Sequence, residues 1–138
     1  MIIPSCKNAA LNADLTKDEI NKLLEVCKKA AEKGGASLMN NYGRIKTIKC
    51  KGTAGDLVTN ADVECEKIII DYLEKETPNI SILAEESGYK LKDGELKWCI
   101  DPLDGTTNYA HGYPFFATSI GLIWNSNPIL GAISVPSL

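Results

Sequence analysis

An α+β fold with a largely antiparallel sheet is what this sequence predicts, on three observations. Two amphipathic helical stretches, each opened by a capping arrangement, occupy the first half of the chain. Short apolar runs of strand length dominate the second half. The last two of these are joined by Asn125-Ser126-Asn127-Pro128, a hairpin by its turn chemistry. Helices first and strands afterwards favour mixed layers over a regular βαβ alternation. With 138 residues there is room for one domain with a real core, and too little for two. Residues 1–15 show no period and read as a loosely ordered N-terminal extension; the domain runs over 16–138.

The first helix opens at Thr16-Lys17-Asp18-Glu19, with Thr16 as N-cap and Glu19 at the third helical position. Ile20, Leu23, Leu24, Cys27, Ala30, Ala31, Gly34 and Leu38 then recur at helical spacing. Gly34-Gly35 costs this helix roughly 1 kcal/mol per glycine relative to alanine, so close packing against another element is expected there. Gly43 is positioned as a stop. Residues 45–50 alternate as a strand, 51–55 form a glycine-containing turn, and 57–59 a brief extended segment.

Thr59 caps the second helix, with Asp62 three residues on, and Ala61, Cys65, Ile68, Ile69, Tyr72 and Leu73 form its buried face. Thr77-Pro78 ends it. A short buried strand over 80–84 runs into Glu85-Glu86, the segment 92–95 is a turn, and a strand over 96–100 leads to Asp101. A short helix follows near 106–110, and strands over 116–124 and 129–135 complete the chain.

Composition excludes several function classes. Hydrophobic residues at 44% and charged residues at 24% are ordinary for a globular protein. A net charge of −3 without a basic stripe argues against nucleic acid as a partner. No run approaches the length needed to span a membrane. Five scattered cysteines without a C-x-x-C pair read as reduced thiols, and residues 1–13 lack a continuous apolar h-region. Those features point to a cytoplasmic protein, with a plastid or other organelle as the alternative. Arg44 is the only arginine, which weakens any phosphate site built on guanidinium forks and favours metal ions as phosphate partners.

The chemistry concentrates in residues 98–112, W-C-I-D-P-L-D-G-T-T-N-Y-A-H-G. A strand stopping at Asp101 would deliver Asp101 and Asp104 to a sheet edge, and Gly-Thr-Thr would open a helix facing an anion. Glu85 and Glu86 also follow an apolar strand, so four carboxylates have a common context. Unpaired, they would raise one another's pKa; hard divalent cations relieve that repulsion. Taken singly, Asp-x-x-Asp is more often a turn or cap, and Glu-Glu a solvated loop. The spacing fits neither an EF-hand nor a D-x-D phosphoaspartate site.

I-D-P-L-D-G-T-T-N-Y-A-H, preceded by A-E-E-S and by G-D-L-V-T-N-A-D, resembles the inositol monophosphatase family of magnesium-dependent, lithium-sensitive phosphatases. The resemblance implies the layered helix/sheet sandwich of the inositol monophosphatase/fructose-1,6-bisphosphatase type, here incomplete and lacking its C-terminal half. It implies Mg²⁺ as cofactor, about two or three ions in a complete site. By this resemblance Glu85, Asp101, the Leu103 carbonyl and Asp104 are metal ligands, and Glu85 and Thr106 prepare the attacking water. Asp62 supports Thr106, the Gly105 and Thr106 amides hold the phosphate, and Glu86 and Lys51 play supporting roles. The implied substrate is inositol monophosphate or a similar small phosphomonoester, and the complete protein would be a homodimer. Histidinol phosphate, a nucleotide 3′-phosphate and fructose bisphosphate are relatives' substrates. The W-D-x-A-type segment that carries a further metal aspartate in the family has no counterpart here. The alternative is therefore a catalytically incompetent half-domain that binds metal or a partner chain.

Overall fold

The computed structural model describes residues 9–44, 48–50 and 57–138. Helix α1 covers Lys17–Asn41, with the Thr16/Glu19 capping box formed in both directions. Helix α2 covers Asn60–Glu76, with the reciprocal box between Thr59 and Asp62. A short α3 spans Thr106–Ala110. Strands β1 (Ile48–Cys50) and β2 (Leu57–Thr59) pair antiparallel as a separate ribbon.

The main sheet is built from β3 (Ser81–Ala84), β4 (Gly88–Lys90), β5 (Leu96–Asp104), β6 (Ala117–Trp124) and β7 (Asn127–Ser134), in the spatial order β4-β3-β5-β6-β7. Only β3 and β5 run parallel; every other neighbouring pair in this sheet is antiparallel. The fold is α+β with a mixed, mainly antiparallel sheet, as the order of helices and strands predicts.

Both long helices lie on one face of this sheet, α1 against β6 and β7 and α2 against β5. Alternation sets the core: Ile82, Ala84, Trp98, Ile100, Ile120 and Leu122 are buried beneath the helices. The Trp98 indole N–H donates to Thr77 Oγ1 at 2.9 Å, which ties the centre of the sheet to the end of α2. Gly34 and Gly35 serve close approach, as their cost requires. A Cβ at Gly34 would fall 2.8 Å from Ile69 Cδ1 and 3.0 Å from Thr118 Cγ2. One at Gly35 would fall 2.6 Å from Ser134 Oγ.

Four features depart from the sequence reading. Strand β5 does not stop at Asp101 but continues to Asp104, because β6 supplies ladder partners as far as Ala117. Strand β4 folds back on β3 after the turn at 85–87, although Gly-Tyr-Lys alone carries little strand signal. The β6–β7 loop contracts to Asn125-Ser126, both at positive φ, and Pro128 lies inside edge strand β7 beside a register shift. Within the expected extension, residues 9–12 are helical, and Ala9 and Ala10 are buried with Ile129. Residues 45–47 and the expected turn at 51–55 lie outside the described residues.

Candidate active site

Two strands running side by side bring the first acids together. Ala84 at the end of β3 is in register with Ile100 of β5, so Glu85 follows directly beside Asp101. The side chains of Glu85 and Asp101 share a hydrogen bond. The sequence shows each acid after an apolar run; the parallel register makes them neighbours.

A bulge then aligns Asp104. In a regular strand residues three apart face opposite sides. Here Asp101 pairs with Ser119 and Asp104 with Ala117, three residues on β5 against two on β6. The extra residue restores parity, so both acids sit opposite positions on the same face of β6. Pro102 lacks an N–H and fits a central strand only at such an irregularity. Its carbonyl accepts from Thr118 Oγ1 at 3.0 Å and from Cys65 Sγ at 3.3 Å. Both donors are completely buried, which fixes the bulge from the helix side.

The face away from the helices carries a cleft of about 630 Å³ lined by Leu83, Glu85, Cys99, Asp101, Ser119 and Gly121, among others. Asp101 Oδ1 is buried there without a hydrogen-bond partner among the described residues. The Asp101 carboxyl is pushed up to about 7 by burial first, then by the Glu85 hydrogen bond and the charges of Glu85 and Asp104. The Leu103 backbone pulls weakly the other way. A carboxylate in this state is stabilised by any positive charge delivered to it, a proton or a cation. The donors available are oxygens, the hard set that suits Mg²⁺.

The expected convergence of four carboxylates needs correction. Among the described residues no three His, Cys, Asp or Glu side chains already stand together as a metal cage. Glu85 and Asp101 form a pair, and Asp104, exposed, reaches Asp101 through its charge. Glu86 does not line the cleft. Four ionised carboxylates in contact would repel one another, so a tight cluster is not the resting arrangement of these groups alone.

Behind the cleft the chain turns at Gly105, whose φ of +88° opens α3. A Cβ here would lie 2.8 Å from the Phe115 carbonyl oxygen, so glycine is required on two counts. Thr106 Oγ1 lies 3.2 Å from Asp62 Oδ1 and 3.1 Å from the Leu103 carbonyl oxygen. The hydroxyl has one proton, which these two acceptors share. Asp62, 1% exposed, uses its other oxygen to accept from Thr59 N at 2.9 Å and Thr59 Oγ1 at 2.6 Å. The pairing expected between Asp62 and Thr106 is thus present in the structure. His111 is exposed and closes α3 through Nδ1, 2.8 Å from the Thr107 carbonyl oxygen. Lys51 lies outside the described residues.

Sequence reasoning missed Glu66, buried on α2, and the neutral side of the cleft formed by Cys99, Ser119 and Gly121. One signal for Glu66 was available: a glutamate four residues after Asp62, flanked by Cys65 and Ile69, falls on the apolar face of its helix.

The inositol monophosphatase family model matches residues 19–138. An inositol-1-monophosphatase from Synechocystis sp. is 42% identical over 119 residues, covering 86% of this chain and 42% of that protein. A fructose-1,6-bisphosphatase/inositol-1-monophosphatase from Aquifex aeolicus is 40% identical, covering 86% of this chain and 46% of the relative. Among solved structures, the extragenic suppressor protein SuhB from Bartonella henselae superposes with a TM-score of 0.79 at 39% identity, over 83% of this chain and 45% of that one. The chain therefore spans less than half the length of these relatives. No helix among the described residues is long and apolar enough to cross a membrane.

Proposed function

We propose that this chain, which belongs to the inositol monophosphatase family, supplies the phosphate-facing half of a Mg²⁺-dependent phosphomonoesterase. The single observation that carries the reading is Asp101: a buried carboxylate oxygen without a partner among the described residues, beside a second carboxylate at the mouth of a cleft. Small phosphorylated polyols are the substrate class, inositol monophosphate first, in line with the names of the relatives.

In this reading Glu85, Asp101, the Leu103 carbonyl and Asp104 would hold Mg²⁺. A cation held there would supply Lewis acidity and bring the pKa of its bound water toward neutrality. Glu85 and Thr106 orient the attacking water, and the Glu85 carboxylate receives its proton. Asp62 fixes the Thr106 hydroxyl, drawing its proton inward and leaving its lone pairs for the water. The amides of Gly105 and Thr106 meet the phosphate, while Glu86 and Lys51 are assigned supporting roles. No side-chain nucleophile is required, which agrees with a cleft where Cys99, the thiol among the described lining residues, is raised in pKa by burial.

A second reading has its own observation. The described acids make a pair with one outlier and not a three-ligand cage, which suits a half-domain that binds metal or a partner chain without turnover. Phosphate release from inositol 1-phosphate by the purified chain, with and without Mg²⁺ and Li⁺, separates the two. Turnover that needs Mg²⁺, falls with Li⁺ and is lost in Asp101→Asn supports the phosphatase. A folded chain that binds Mg²⁺ without releasing phosphate supports the half-domain.

A further inference from the structure

Helix α2 carries a second buried acid that no step of this chemistry uses. Glu66 is 2% exposed. The N–H groups of Glu86 and Ser87 donate to its Oε2 and Oε1 at 2.7 and 2.8 Å. A carboxylate rarely goes this deep without compensation, and two hydrogen bonds from backbone N–H groups to a charged acceptor provide it. The two amides belong to the turn that starts with Glu85.

Glu66 does not act in isolation. Asp62, Cys65 and Glu66 fall at i, i+3 and i+4, one face of a rigid rod, with about 6 Å of rise between the two acids. Asp62 holds the Thr106 hydroxyl, and Cys65 donates to the Pro102 carbonyl at the bulge between Asp101 and Asp104. Glu66 holds the turn after Glu85. One helical turn thus touches the turn after Glu85, the bulge between Asp101 and Asp104, and the Thr106 hydroxyl.

We infer that Glu66 is a positioning residue, which locks the β3–β4 turn so that the Glu85 carboxylate meets Asp101 at the spacing a shared cation requires. The inference rests on the Mg²⁺ reading above. An apolar side chain at 66 would fill the space but take away the acceptor of both N–H donors, and the turn would relax toward solvent. Glutamine would keep the shape while replacing one acceptor oxygen by a donor that opposes an N–H.

The test uses Glu66→Gln, Glu85→Gln and the double variant in the full 138-residue chain. Mg²⁺ binding is followed by calorimetry and by backbone amide resonances. In wild type the Glu86 and Ser87 amides shift with the same Mg²⁺ midpoint as Asp101, which tests the coupling without any variant. In Glu66→Gln, exchange at those two amides rises more than about tenfold, and Mg²⁺ affinity falls about 10–100-fold, the range for residues that orient a ligand. In the Glu85→Gln background, adding Glu66→Gln changes affinity by less than about twofold, because the effect passes through Glu85. Faster exchange with unchanged affinity would make Glu66 a structural residue only and overturn the proposal. An equal loss of affinity in both backgrounds would overturn the route through Glu85. A folded wild type without any Mg²⁺ response removes the phosphatase reading itself, and with it the role of Glu66 in cation binding. Wild-type binding that Glu66→Gln leaves intact removes Glu66 alone.

Discussion

The acids behind the cleft and the acids in front of it are chemically alike and physically opposite. Asp62 and Glu66 are almost fully buried, and each carboxylate oxygen has a donor within 3.2 Å. Asp101, half-buried at the cleft, keeps one oxygen without a partner among the described residues, and its carboxyl is pushed up to about 7. Burial alone does not make a functional acid. The rear pair is satisfied, and its hydrogen bonds help hold the fold. The front group is strained by its surroundings in a way that a proton or cation relieves. The contrast separates carboxylates already satisfied by donors from one left open to a proton or cation, without reference to motif.

The largest effect that would break this contrast is on turnover. Asp101→Asn should reduce Mg²⁺-dependent phosphate release by at least about 10²-fold, the scale of losing a preorganised charge-stabilising group. Its fold should be intact, as read by circular dichroism. Equal loss of folding would mean that Asp101 belongs with the rear acids.

The rear pair should show the reverse. Asp62→Ala removes the acceptor of two Thr59 donors and of Thr106. Urea denaturation should register a loss of about 1–3 kcal/mol, the cost of leaving buried groups unsatisfied. Gly34→Ala probes the same layer through volume. Its Cβ would meet Ile69 and Thr118 at 2.8 and 3.0 Å, and overpacking of this kind costs about 1–3 kcal/mol. Because Thr118 also holds the Pro102 carbonyl, Mg²⁺ affinity should weaken along with stability in this variant.

A pH series sharpens the contrast further. In the absence of metal the folded Asp101 carboxyl titrates near 7 against an ordinary value of 3.8, so the folded chain retains a proton that the unfolded chain has released. Its contribution to stability is greatest below pH 4, declines as pH rises toward 7, and is flat above that. Asp101→Asn should remove this slope, matching wild type at low pH and exceeding it at pH 8 in urea melts without metal. The smallest effect belongs to the outer surface: Lys67→Ala, which breaks an exposed pair with Asp71 at 2.9 Å, should change stability by less than about 0.5 kcal/mol.

Local chemistry was readable from the chain alone, and tertiary register was not. Both capping boxes, the Gly34-Gly35 contact and the short helix after Gly105 depend on residues a few positions apart or on a cost that demands a reason. The motif phrase around Asp101 and Asp104 pointed to the segment where the structure leaves a buried Asp101 oxygen without a hydrogen-bond partner among the described residues. The bulge escaped notice because it is defined by which β6 residue faces Asp104, and β6 lies beyond α3. Glu66 escaped because glutamate is ordinarily exposed, and its partners lie 20 and 21 residues away. Parallel pairing of β3 with β5 was equally hidden, since short apolar runs do not announce their direction.

Calorimetric titration of Mg²⁺ into the metal-free chain at pH 6, in two buffers of different ionisation enthalpy, tests cation binding at Asp101 directly. At that pH Asp101 holds its proton, given a pKa of about 7. Saturable binding that expels a proton into the buffer, and that disappears in Asp101→Asn, is the predicted result. A folded chain that shows no saturable binding, or binds Mg²⁺ equally well with asparagine at 101, would contradict it.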